Sequence, residues 1–130
     1  MVTIDRMIQQ VRPDKWAELE KIDKRYNAVE SRLGFPPKKR YQCLMGSHDV
    51  NTLIVERQWD SLAVMEATYE KAFADPEYQA LEKELTSIIK SVHWELYMPL
   101  PRELILGRQV LVPVVTLIEK AQPPLASSVM

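Results

Sequence analysis

Apolar residues change their spacing along this chain in an order that leaves few folds open. Over residues 2–12, Ile4 and Ile8 alternate with polar neighbours while Met7 and Val11 fall on the opposite parity, which reads as a strand. The period then lengthens. Trp16, Leu19, Ile22, Tyr26, Val29 and Leu33 lie 3, 3, 4, 3 and 4 residues apart, on one stripe of a helix. Pro13 suits the first turn of that helix, where its missing N–H costs nothing, and Asp14 suits the positive end of the dipole. Gly34 supplies a C-terminal cap, and Pro36-Pro37 prevent the helix from resuming.

Two strand-like runs follow. Residues 40–47 read Arg-Tyr-Gln-Cys-Leu-Met-Gly-Ser and residues 52–59 read Thr-Leu-Ile-Val-Glu-Arg-Gln-Trp, with His48-Asp49-Val50-Asn51 as the turn between them. Asp60 or Ser61 caps a second helix, which carries Leu62, Met65, Tyr69 and Phe73 at spacings of 3, 4 and 4. Pro76 disfavours a helical Asp75 and breaks that helix; Asp75 then caps a new segment, and Tyr78, Leu81, Leu85 and Ile88 continue it at 3, 4 and 3. Residues 91–98 alternate again as a fourth strand, and Pro99 and Pro101 close the unit. One domain is therefore expected over residues 1–101, with residues 102–130 as a C-terminal extension. In that extension Gln109 to Ile118 reads as a segment covering a sheet edge in its own or a partner subunit, ahead of a mobile end.

The order β-α-β-β-α-β predicts an α+β fold of ferredoxin-like type, a four-stranded antiparallel sheet with its helices on one face. The opposite face should be polar if it meets water. It is mixed instead. Tyr41, Cys43 and Met45 alternate with Gln42, Leu44 and Gly46; Leu53 and Val55 alternate with Ile54, Glu56 and Gln58; Val92, Trp94, Leu96 and Met98 alternate with His93, Glu95 and Tyr97. Apolar residues on both parities ask for cover on both faces. Two copies packed sheet on sheet, a homodimer with twofold symmetry, give it most simply.

Charge and cysteine content narrow the partners. Seventeen basic and 18 acidic residues leave a formal charge of −1, so no field exists to draw a polyanion or an anionic bilayer, and neither nucleic acid nor membrane is expected as a partner. Lys38-Lys39-Arg40 reads as the solvated start of a strand, with phosphate binding or localisation as the alternative. Cys43, the sole cysteine, excludes an intrachain disulfide and a cysteine metal cluster. The first residues lack the apolar centre of a secretion signal, and the longest apolar stretch, Val110 to Ile118, is broken by Pro113 and too short to span a bilayer. A cytoplasmic location is expected. No phosphate loop, nucleophile elbow or zinc pattern is present, and no cofactor or metal is expected.

Three segments carry a resemblance. Arg57-Gln58-Trp59-Asp60-Ser61 leads from the third strand into the second helix, Phe73-Ala74-Asp75-Pro76-Glu77-Tyr78 breaks that helix, and Trp94-Glu95-Leu96-Tyr97 closes the domain. Over residues 2–99 the chain resembles the dimeric α/β-barrel superfamily, in particular its small NIPSNAP-like and antibiotic-biosynthesis-monooxygenase-like domains. The resemblance implies a homodimeric barrel but no single activity, since the superfamily includes cofactor-free oxygenases, haem degraders, small-molecule isomerases and members without known activity. Haem degraders use an Asn on the first strand and a Trp and a His on the second helix. Here residues 2–12 contain no Asn, and residues 61–90 contain neither Trp nor His. Trp59, just before the helix, resembles a position that maintains the fold.

The candidate chemistry centres on one strand. His48 reads as a solvated turn residue, whereas His93 shares its parity with Glu95 and Tyr97, and Glu56 can face the same side. His93, Glu56 and Glu95 form the candidate catalytic set, because convergence inside a dry barrel would shift their pKa values and make one a general base. The plainer reading of the same residues is a paired interface network. Their spacing carries no metal signature. Arg6, Tyr41, Arg57, Tyr69 and Tyr97 are the candidate ligand-pocket residues, with Arg6 and Arg57 either meeting an anion or pairing with Asp5, Glu56 or Glu95. Trp16, Tyr26, Tyr69, Phe73 and Tyr78 sit at helical spacing and read mainly as core, with some of them able to line a pocket between the helices and the sheet.

These readings favour a homodimer that binds a small apolar or aromatic molecule between sheet and helices. A cofactor-independent oxygenase or isomerase is the first alternative, and an interaction domain without ligand the second. All three use the same fold, so the residues alone do not separate them.

Overall fold

In a computed structural model describing residues 1–100, each change of period becomes a change of element. The elements are β1 (Thr3–Val11), α1 (Trp16–Leu33), β2 (Lys38–Gln42), β3 (Thr52–Trp59), α2 (Leu62–Ala74), α3 (Pro76–Leu85) and β4 (Ile89–Tyr97). The strands form one antiparallel sheet in the order β2-β3-β1-β4. This is the ferredoxin-like α+β arrangement expected from the sequence. The domain boundary at residue 101 and the extended segment expected over 109–118 lie outside the described residues. Among the described residues no helix is long and apolar enough to cross a membrane.

Caps set the helix ends. Gly34 adopts φ 91°, and its N–H and that of Phe35 return to the carbonyls of Ser31 and Glu30. Only glycine holds that left-handed conformation without strain. Ser61 Oγ accepts from Val64 N at 3.1 Å to open α2, and Asp75 accepts from Tyr78 N at 3.0 Å to open α3 behind Pro76. Several expected boundaries move: α3 ends at Leu85, and β4 begins at Ile89 rather than 91. Pro13 and Asp14 form a turn ahead of α1 rather than its first turn, with Lys15 at the cap. The second strand runs from 38 to 42 rather than 40 to 47, because Gly46 at φ 138° turns the chain away and leaves Leu44 and Met45 exposed.

The core lies between the helices and one face of the sheet. Leu19, Ile22, Tyr26, Val29 and Leu33 of α1 meet Leu53, Val55 and Trp59 of β3 and Trp94 of β4, with Met65, Tyr69, Tyr78, Leu81 and Leu85 from the broken helix. One acid sits at its centre. Asp5, 1% exposed, accepts from Trp94 Nε1 at 2.5 Å, Trp59 Nε1 at 3.3 Å and the Tyr69 hydroxyl, so a single carboxylate ties β1 to β3, β4 and α2. Trp59 therefore maintains the fold through a named bond as well as its bulk.

The basic run after Pro37 needs correction. Lys38 is not solvated: its side chain is 11% exposed and its ammonium lies 2.6 Å from Asp23 and 3.1 Å from Glu30. Arg40 reaches Glu20 and Asp23 in the same way. Strand alternation turns both residues toward α1, whose acids neutralise them.

Candidate functional site

Two clusters of polar side chains lie on opposite faces of the sheet. On the face without helices, the strand register sets Arg6 between Glu56 on β3 and Glu95 on β4. Arg6 Nε donates to Glu56 Oε1 at 2.7 Å, and the guanidinium lies 4.9 Å from the centre of the Tyr97 ring. Tyr97 donates to Glu95, and His93 Nε2 stands 3.2 Å from Glu95 Oε2. Tyr41 pairs with Ile54 on this face and is half exposed. The structure thus brings His93, Glu56, Glu95, Arg6, Tyr41 and Tyr97 to one surface. Glu56 and Glu95 nevertheless stand two strands apart, about 10 Å, with Arg6 between them. The His93 side chain is 69% exposed in the single chain.

Arg57 and Tyr69, expected in the same pocket, face the helices instead. Arg57, 5% exposed, donates to Glu30 and covers the Phe35 ring at 4.9 Å. Burial disfavours its charge, but Tyr69, Glu30 and Asp5 carry its pKa above the ordinary value. Tyr69 is engaged with Asp5, whose own pKa burial raises against the pull of Tyr69 and Arg57. The Trp59, Trp94 and Tyr69 donors are all spent on Asp5. That group is structural.

Beside it, between β1, β3, α1 and α3, is a partly open cavity of about 60 Å³. Met7, Leu19, Ile22, Leu53, Val55 and Leu85 give it apolar walls, and Tyr26, Tyr78, Glu82, Glu30, Lys38 and Arg57 supply the polar groups. The Tyr26 and Tyr78 rings meet edge to face at 5.8 Å. Glu82 accepts from both phenols, Tyr78 on its own helix and Tyr26 on α1, whose side chain is buried. Burial pushes the Glu82 carboxyl up to about 7, against the pull of the two phenols. Burial and the nearby Glu82 raise both phenols, which keep their protons.

Glu30 and Glu82 were absent from the sequence-derived site, although a signal for them exists. Each follows a stripe tyrosine by four residues, Tyr26 to Glu30 and Tyr78 to Glu82, and each precedes a stripe leucine by three, Leu33 and Leu85. An acid at that spacing lies on the buried side of its helix.

No protein-family model matches the sequence, and no curated protein matches it. Solved structures do. A NIPSNAP family protein from Agrobacterium tumefaciens superposes with a TM-score of 0.66 at 19% identity, covering 80% of this chain and 90% of that one. A NIPSNAP-like domain protein from Burkholderia xenovorans gives 0.65 at 13% identity, over 78% and 88%. SnoaB from Streptomyces nogalater, a cofactor-independent oxygenase, gives 0.56 at 17% identity, over 80% and 96%. The chain has the fold of the NIPSNAP family proteins, which the oxygenase shares.

Proposed function

We propose that the protein is a homodimer that binds a small molecule in the cavity between sheet and helices, over Tyr26, Tyr78 and Glu82. The observation that carries this reading is the cavity itself, where the two phenols and the Glu82 carboxyl meet a wall of Leu19, Ile22, Leu53, Val55 and Leu85. The size of the space limits the ligand. A cavity of about 150 Å³ takes benzene, and this one, at about 60 Å³, has less than half that room. It suits about three heavy atoms, either a very small molecule or the end of a larger one that extends through the mouth.

Dimer formation is supported by the second face, where Ile4, Ile8 and Ile54 lie only partly buried among the charged residues. Pairing would also enclose His93, Glu56 and Glu95, returning them to the setting in which they could act.

Amide NMR during titration with 2-butanone and, separately, phenol tests the binding site. Saturable shifts centred on Tyr26, Tyr78 and Leu85 are expected for the ketone, with weaker or no response to the ring. Shifts confined to the His93 face, or none, would contradict the reading and favour an interaction domain.

A further inference from the structure

Resting on the homodimer reading, we propose that one row of charges across the open face fixes how the two copies meet, with Lys39 of one against Glu95 of the partner subunit. The strand register lines up Lys39, Glu56, Arg6 and Glu95 directly across β2, β3, β1 and β4. Their signs alternate from one edge of the sheet to the other. The middle pair is closed within the chain, since Arg6 lies 2.6 Å from Glu56. The ends are not. Lys39 is exposed and makes no salt bridge among the described residues. Glu95 is met by the Tyr97 hydroxyl and His93, and by no lysine or arginine salt bridge among those residues. Three strand spacings, about 14 Å, keep these two opposite charges apart in a single chain.

A twofold axis between two stacked sheets can run along the strands or across them. Along the strands, on the midline between β3 and β1, it lays β2 over the partner's β4 and β3 over the partner's β1. Lys39 then faces Glu95 of the partner subunit, and Glu56 faces Arg6 of the partner subunit, each contact occurring twice. The next row, Tyr41, Ile54, Ile8 and His93, lies across the same four strands. It sets Ile54 against Ile8 of the partner subunit. Packed sheets keep their strands within about 30° of each other, so the rows stay in step at the centre, and the long Lys39 and Glu95 side chains span the offset at the edges. An axis across the strands instead lays every strand over its own copy, with like charge on like charge or charge on isoleucine. Enclosing charges without opposite partners is strongly unfavourable, so only the first arrangement suits this face. A groove of about 440 Å³ beside Ile4, Pro37 and Lys39 lies where the partner's Glu95 and Tyr97 would enter.

Zero-length carbodiimide coupling of the full chain, as an equilibrated mixture of nitrogen-14 and nitrogen-15 protein read by mass spectrometry, tests the register. A Lys39–Glu95 cross-link joining the two labels is expected. Sedimentation of two variants gives a second readout. Lys39→Glu and Glu95→Lys each place like charges in contact twice, and each alone should weaken the dimer about tenfold or more. Mixed in equal amounts they restore both opposite-charge contacts, and the mixture should regain most of that loss. A wild-type dimer without the cross-link, variants that pair as tightly as wild type, or no recovery on mixing overturns this register and leaves the homodimer standing. A monomeric wild type removes both.

Discussion

Asp5 shows how much one side chain holds. Replacing it with alanine leaves the Trp59, Trp94 and Tyr69 donors unpaired in the core, at about 1–3 kcal/mol each before relaxation. Asp5→Ala should therefore lose more than about 3 kcal/mol, a large share of a small domain's stability. Urea denaturation reads it, and an unchanged midpoint would show that these bonds contribute nothing. Glu82 acts in the opposite sense. Its ordinary value is 4.5 and its folded value about 7, so between them the native state holds a proton that the unfolded chain has released. Its contribution is full below about 4.5 and is lost as pH rises to about 7, by about 3 kcal/mol at most. Asp75, Asp49 and Glu84, held low by hydrogen bonds from Arg32, Gln10 and Arg25, impose the reverse slope at lower pH. The comparison of wild type with Glu82→Gln isolates the effect: the variant should melt higher than wild type at pH 8 and lose that advantage at pH 4.5. Residues of this kind are the least legible in sequence. Glu82 sits between Lys83 and Leu81 in a charged helix, and only its spacing from Tyr78 and Leu85 marks it as inward. Arg57 and Tyr69 were expected in one pocket with Arg6 and Tyr97, but the strand register and the packing of α2 set them on the other side of the sheet.

At the scale of elements, caps and breakers proved readable because they act locally. Ser61, Asp75 and Pro76 stand where hydrogen bonding and proline geometry put them. Ser61→Ala removes the bond to Val64 N and should cost about 1 kcal/mol, seen as a lower urea midpoint with an unchanged slope. No change would mean that another group satisfies the α2 terminus. The β2 boundary was not readable, since Leu44 and Met45 have strand-like side chains yet stand exposed ahead of the turn at Gly46, while Cys43 N still bonds Thr52 O. The role of Lys38 and Arg40 was hidden for a different reason. Their partners Glu20, Asp23 and Glu30 lie on a different element, and only the packed helix brings them together.

For the whole molecule, the order of periods was enough to give the sheet, the side on which the helices pack and the mixed character of the other face. It was not enough to divide the chemistry between those faces, which depends on register. Pairing through the open face has its own test. Ile54→Glu places a charge beside Ile8 at its centre, and in sedimentation at low micromolar concentration the wild type should run as a dimer and the variant as a monomer. A monomeric wild type would remove the barrel. Whether the sheet–helix cavity is a site or only packing turns on Glu82, and carbon-detected NMR titration of its side-chain carboxyl measures that directly. A midpoint near 7 that moves when 2-butanone is added is the expected result. A midpoint near 4.5, indifferent to the ketone, would contradict it.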